Sequence, residues 1–255
     1  MNTKIDGFEK DNRNLPPVLF EDEWLIAFSK PCGMLVPPDR WNKERGCLVH
    51  LVHQFVSPEA FNAHRIDADT SGIVLFARTK AALKAVARLF EKRLIAKRYL
   101  AIAHSLPPDD QMTIKTGLVL NAARPGTMLV SRGGMKALTT INVVKKWRRH
   151  SLVEAMPVTG KTHQIRVHLA HIGCPIIGDP IYGNGIGLFL STIKRDYRFS
   201  RQRAETPLIA RLALHAAELS FAHPFTNKTV KIECPLPKEF TIAIKYLDRY
   251  SQCKQ

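Results

Sequence analysis

Asp67 stands just ahead of Ile73-Val74-Leu75-Phe76-Ala77, a continuous apolar run with β-branched residues that reads as an interior strand. Thr70-Ser71-Gly72 is the small, polar turn between them. A carboxylate tied to a stiff element is placed as a nucleophile or general base must be, because small displacements cost rate steeply. The same residues admit a plainer role, with Asp67 or Asp69 closing an Asx turn onto Thr-Ser-Gly. A second segment able to do chemistry is Lys161-Thr162-His163-Gln164-Ile165-Arg166-Val167-His168-Leu169-Ala170-His171-Ile172-Gly173. Ile165, Leu169 and Ile172 recur at i, i+4, i+7, Thr162 suits an N-cap and Gly173 a C′ position, which predicts an amphipathic helix. His163 and Arg166 then share neighbouring positions in its first turn. His163, His168 and His171 do not share one helical face, which argues against a metal site.

The order His64-Arg65-Ile66-Asp67, two residues, then Thr70-Ser71-Gly72 closely resembles the His-Arg-Leu-Asp-x-x-Thr-Ser-Gly signature of the RluA branch of pseudouridine synthases. Ile66 for Leu is a volume-conserving change. Four other segments are similar to that family: Lys30-Pro31-Cys32-Gly33, Lys97-Arg98-Tyr99-Leu100-Ala101, Thr159-Gly160-Lys161-Thr162-His163-Gln164-Ile165-Arg166, and Gly178-Asp179-Pro180-Ile181-Tyr182-Gly183. Pro37-Pro38 stands where many members have His-Pro, and Lys161 where Arg is usual, which keeps the charge but loses the bidentate fork. The resemblance implies that Asp67 is the catalytic aspartate, that Arg166 pairs with it, and that Tyr99 faces the target base beside it. It also implies that Arg65, Lys161, His163 and Leu214 contact the RNA substrate. The reaction it implies is the isomerisation of uridine in ribosomal RNA or tRNA, with no cofactor, nucleotide or metal. The fold it implies is α+β: a long, mainly antiparallel sheet flanked by helices, with an RNA-binding cleft across it.

The elements that must hold these residues can be read coarsely. Residues 18–20 and 24–28 predict a hairpin, 47–56 a short helix, and 81–93 a helix capped by Thr79 with Ala82, Val86, Leu89 and Phe90 inward. Residues 97–103 alternate as a strand. The short apolar runs of 107–140 suggest strands joined by loops, with no assignable chemistry. Residues 139–144 and 151–157 read as strands around Lys145-Lys146-Trp147-Arg148-Arg149-His150, a solvated turn or a phosphate contact. Residues 211–216 and 221–225 match the family's closing strands, and 240–250 end the chain as a helix. Residues 1–15 read as a loose leader, leaving 16–255 as one catalytic domain.

The chain has 255 residues, with 38 Lys and Arg against 22 Asp and Glu, a net charge of +16 and a pI near 9.9. Such an excess points to a polyanionic partner such as RNA. Residues 194–203 concentrate it, with Lys194, Arg195, Arg198, Arg201 and Arg203 around Tyr197 and Phe199, either as an RNA-tracking loop or as a solvated connection. Five cysteines without C-x-x-C spacing suit a reducing cytoplasm, and no signal-peptide or membrane-spanning stretch is visible. The expected assembly is a monomer. Two other classes compete. A non-catalytic RNA-binding or ribosome-assembly protein would share the charge but has no need of Asp67, Tyr99 and Arg166 together. A glycoside hydrolase would need a second opposed carboxylate, and only one strong candidate is present.

Overall fold

The computed structural model describes residues 15–39, 46–198 and 204–253, so the leader expected over 1–15 lies, but for Leu15, outside the described residues. The first hairpin joins β1 (Val18–Glu21) to β2 (Leu25–Lys30) through Asp22, whose Oδ1 accepts from the Trp24 and Leu25 N–H groups at 2.8 and 2.7 Å. There follow α1 (Leu48–Phe55), β3 (Phe61–Asn62), β4 (Ser71–Ala77), α2 (Lys80–Glu91), β5 (Ala96–His104), β6 (Gln111–Leu120), β7 (Met128–Val130), β8 (Met135–Lys146) and β9 (His150–Pro157). The chain then forms α3 (Gln164–His171), α4 (Leu190–Ile193), β10 (Leu214–Ala222), β11 (Thr229–Glu233) and α5 (Lys238–Tyr250).

All the strands join one sheet in the order β1-β2-β4-β10-β5-β9-β8-β6-β7, with β11 on β10 and β3 on β4. Every pairing is antiparallel except β4 with β10, so the long, mainly antiparallel sheet implied by the motifs is the one formed. The parallel pair has a consequence for the site. It aligns Ser71 with His215 and Gly72 with Ala216, so the loop before β4 and the start of β10 emerge at the same end of the sheet. Gly72 permits this approach. Its φ is +117°, and a Cβ there would lie 2.2 Å from the Ala216 carbonyl oxygen. Ser71 Oγ and His215 Nδ1, 2.9 Å apart, join the two strands at that point.

β4 is buried along its whole length because both its faces are covered. Ile73, Leu75 and Ala77 pack with Ala82 and Val86 of α2, whereas Val74 and Phe76 pack with Leu48 and Val52 of α1. Thr79 caps α2 by accepting from the Ala82 N–H at 3.1 Å, as its sequence predicts. A third apolar cluster, with Ile102, Leu152, Leu169, Phe240 and Leu247, holds α3 and α5 to the sheet.

The strands expected within 107–140 are present and long: β6 and β8 pair over eight positions from Gln111↔Asn142 to Leu118↔Met135. The structure differs from the sequence reading in two stretches. The closing strands are not 211–216 and 221–225. One strand, β10, runs through the first gap, and Phe225 lies in the turn before β11. The basic cluster at 145–149 is largely spent on structure: Lys145 and Lys146 pair with Asp248 and Asp110, and buried Trp147 donates Nε1–H to Asp248 at 2.9 Å. Arg148 donates to the Ile193 and Tyr250 carbonyls, leaving Arg149 without an ion pair among the described residues. Of the basic stretch 194–203, residues 199–203 lie outside the described residues. Lys194 sits 5.4 Å over the Tyr250 ring, and Arg195 and Arg198 are exposed.

Candidate active site

The loop carrying Asp67 is fastened from both sides. On one, His64 Nε2 accepts the Leu75 N–H at 3.1 Å and Ala63 N–H reaches the Leu75 carbonyl at 2.9 Å. The imidazole thus stands in for a strand partner, and it must be neutral to do so; burial pushes its pKa down from 6.5 to about 4. On the other, the Ala68 carbonyl accepts from Lys30 Nζ at 2.9 Å and from the Gly33 N–H at 2.8 Å, and Cys32 Sγ–H reaches the Asp69 carbonyl at 3.1 Å. Lys30 is 1% exposed and donates also to the Pro31 and Met34 carbonyls, both at 2.8 Å. Burial lowers its pKa to about 8. Asp67 closes the turn with its backbone carbonyl, which accepts the Thr70 N–H at 3.1 Å. No turn N–H among the described residues bonds its carboxylate, so the Asx reading does not describe this loop.

Opposite Asp67 stands the first turn of α3. Its N-cap is His163, not Thr162, in the left-handed conformation at φ 53°, ψ 18°. Gln164 replaces a capping side chain: its Oε1 accepts from the Lys161 N–H and Thr159 Oγ–H at 3.1 and 2.7 Å, while Nε2 donates to the Leu138 carbonyl and Thr139 Oγ. The helix is not amphipathic. Residues 164–169 are all buried, since His168 is taken up by Thr116 and Thr139 and Arg166 by an acid, so polar side chains also face inward. Gly173, at φ +77°, ends it as expected.

That acid is Asp179. Arg166 donates Nε–H and Nη2–H to its two oxygens at 2.8 and 2.7 Å, a bidentate pair in which neither residue is more than 1% exposed. The third nitrogen, Nη1, is 3.6 Å from Asp67 Oδ2. The pairing of Arg166 with Asp67 implied by the sequence therefore exists as a long contact, secondary to the one with Asp179. Burial opposes the Arg166 charge, but Asp179 outweighs it and leaves the guanidinium pKa raised. Burial likewise opposes the Asp179 charge; Arg166 and the Ile181 and Tyr182 N–H groups overcome it and hold the carboxyl below its usual range. The Tyr182 hydroxyl accepts the Met128 N–H at 2.8 Å and lies 2.9 Å from His163 Nδ1. The other ring nitrogen of His163, Nε2, is 3.9 Å from Asp67 Oδ2. Burial lowers the His163 pKa, which favours the neutral imidazole.

Asp67 looks into a cavity of about 530 Å³ lined also by Tyr99, Leu214, Arg65, Lys161, His163 and Arg166. All seven residues expected from the sequence therefore meet at one place. Tyr99 comes from β5 and Leu214 from its neighbour β10, so the sheet forms the floor. Burial, and then the Asp67 charge, push the Tyr99 hydroxyl pKa up, which keeps it a neutral phenol. Arg65 and Lys161 stand at the mouth, and neither side chain makes an ion pair among the described residues.

Residues 24–171 match the family model described as RNA pseudouridylate synthase. The chain belongs to that family. It is 34% identical over 227 residues to the ribosomal large subunit pseudouridine synthase D of Neisseria meningitidis serogroup B, across 87% of this chain and 58% of that protein. It is 30% identical over 237 residues to the ribosomal large subunit pseudouridine synthase C of Buchnera aphidicola, across 90% and 70%. This chain thus spans less than two thirds of the length of the former. Among solved structures, Human RNA Pseudouridylate Synthase Domain Containing 1 superposes with a TM-score of 0.66 at 25% identity, across 91% of this chain and 87% of that one. The RNA pseudouridylate synthase motifs thus carry a family-wide likeness.

The segment Gly178-Asp179-Pro180-Ile181-Tyr182-Gly183 belongs to this family's pattern, but the sequence alone gives neither Asp179 nor Tyr182 a task. The signal for Asp179 was available: an acid amid apolar residues and turn glycines is buried only with a cation, and Arg166 on a buried helix needed an acid. Lys30 carried no such signal, because its three acceptors are backbone carbonyls that no side-chain pattern reveals.

Proposed function

We propose that this chain is an RNA pseudouridine synthase that isomerises uridines in ribosomal RNA, tRNA being the other substrate class its sequence allows. The observation that carries the reading is the Asp67 carboxylate set between Arg166 Nη1 at 3.6 Å and His163 Nε2 at 3.9 Å, facing a cavity also lined by Arg65 and Lys161, which make no ion pair among the described residues. The reaction breaks the N1 to C1′ bond, turns the uracil, and joins C5 to C1′; the C5 proton leaves and N1 gains one. No atom enters or leaves in sum. Asp67 serves as nucleophile at C1′ or as base for a sugar proton, and it is the reacting group in both routes. Arg166, locked by Asp179, fixes the carboxylate's position. Tyr99, a neutral phenol, gives the base an aromatic wall and a hydroxyl. Because C1′ is out of reach in a stacked helix, the uridine is flipped into the cavity, and Arg65 at the mouth is suited to fill the vacated space.

The protein acts, in this reading, as a monomer in the cytoplasm, with residues 16–255 as one catalytic domain and no bound cofactor. One sheet running from Val18 to Glu233 supports the single domain, and five free cysteines suit a reducing compartment. No helix among the described residues is long and apolar enough to cross a membrane.

The test is tritium release from large-subunit ribosomal RNA transcripts labelled at uridine C5, with purified protein, buffer and salt. Release is expected, and Asp67→Asn should lower it by roughly three orders of magnitude or more with RNA binding retained. Wild-type protein that binds these transcripts and tRNA but releases nothing would make this a non-catalytic RNA-binding protein.

A further inference from the structure

α2 ends on an arginine where the backbone calls for glycine. Arg93 occupies the C′ position with φ +58°, and the turn is closed by Arg93 N–H to the Phe90 carbonyl at 3.1 Å and Leu94 N–H to the Leu89 carbonyl at 2.9 Å. Such a left-handed residue is ordinarily glycine or asparagine, since any larger side chain is disfavoured there. The Arg93 side chain repays nothing inside the protein. It is exposed, makes no hydrogen bond or ion pair among the described residues, and lines the Asp67 cavity.

Lys97 lies beside it. On β5 it shares a face with Tyr99, two residues on, and its ammonium reaches across the cavity to within 3.9 Å of where a Cβ on Gly160 would sit. It too has no hydrogen-bond or ion-pair partner among the described residues. Burial, and then the charge of Arg93, push its pKa down, so the two cations repel each other. Glu91, which lines the same mouth, forms an ion pair with neither. A strained backbone that presents one cation, next to a half-buried second one, is unfavourable until an anion arrives.

We propose that Arg93 and Lys97 form a phosphate site that takes a backbone phosphodiester of the RNA next to the flipped uridine. The site rests on the function proposed above for its substrate, and it adds two residues outside the quoted catalytic roles. Because Lys97 and Tyr99 share one strand, the phosphate and the base are held in a fixed relation. Arg65 and Lys161, on other walls of the mouth, serve the strand as it leaves.

The decisive variant is Arg93→Gly, which removes the cation and relieves the backbone together. Its urea midpoint should stay the same or rise. Its RNA dissociation constant, measured by filter binding to the large-subunit transcript in the Asp67→Asn background, should rise about five- to tenfold. The slope of log K against log salt should flatten by roughly 0.7 to 0.9. Lys97→Gln should do the same to binding, and in active protein the loss should fall on KM. Unchanged affinity and salt slope in both variants would overturn the site. A lowered urea midpoint with unchanged binding would make Arg93 a structural residue and overturn it as well. Since binding is read without turnover, absence of isomerisation by the wild type would sink the proposed function while leaving this site to be judged on its own.

Discussion

At Arg166 two roles are superposed, and their magnitudes separate them. The guanidinium satisfies a fully buried carboxylate through two short bonds and reaches Asp67 only with its third nitrogen. Removing it leaves Asp179 charged, buried and unpaired, a loss of about 3 to 5 kcal/mol, whereas the longer contact with partly exposed Asp67 is worth far less. Arg166→Met should therefore lower the urea-unfolding free energy by about that amount while abolishing turnover. The double variant Arg166→Met with Asp179→Asn should recover much of the stability, because the amide oxygen still accepts from Ile181 and Tyr182 and no charge is stranded, yet remain inactive. An inactive Arg166→Met protein of full stability would reverse this ranking and make Asp67 its main partner.

At the scale of elements, the junction of β4 with β10 sets the site, and Gly72 is its narrowest point. An added Cβ meets the Ala216 carbonyl at 2.2 Å on a backbone at φ +117°, so Gly72→Ala must part the parallel β4–β10 pair or twist β4. A loss of about 3 kcal/mol or more is expected in urea unfolding, and the Asp67 loop should loosen with it. Stability within 1 kcal/mol of wild type would show the junction to be pliable. β4 was legible from sequence because burial on both faces writes an unbroken apolar run, and α2 because its cap and its inward residues are local. The full length of β6 and β8 was not legible beyond the strand read at 139–144, since one face of each is open and Thr and Lys interrupt the buried positions. α3 is not the amphipathic helix its apolar spacing predicts, because Gln164 Nε2, Arg166 and His168 are satisfied by residues distant in the chain, which periodicity cannot show. The gathering of the seven site residues was legible through the motifs, whereas the Arg93 conformation and the three carbonyls around Lys30 exist only in the fold.

For the molecule as a whole, buried imidazoles set the response to acid, the pKa values of His104 and His163 being lowered by burial along with those of four others. Burial holds His64, His150, His168 and His215 each at about 4, against 6.5 for the ordinary side chain. The hydrogen bonds of His64, His168 and His215 agree with the neutral form, His215 for example standing between Ser71 Oγ and the Cys234 carbonyl. A pKa lowered by folding means that the unfolded chain binds more protons as pH falls from 6.5 towards 4. Stability is then complete above about 6.5 and declines below it, with a limiting slope of roughly 1.4 kcal/mol per pH unit for each imidazole, or roughly 5.5 for these four. A domain stable by about 5 to 15 kcal/mol cannot sustain that slope to pH 4, so acid unfolding should be centred between those pH values. Asp179, with its pKa held below 3.8, gives up its contribution only in stronger acid and does not enter this window. Circular dichroism during urea titration at pH 7.5, 6.0 and 5.0 measures the slope, and His150→Phe should reduce it by up to about 1.4 kcal/mol per pH unit, because His150 Nδ1 has no hydrogen-bond partner to lose among the described residues. Stability that stays level down to pH 4.5 would mean that these imidazoles accept protons without cost, and that the sheet opens locally to let water reach them.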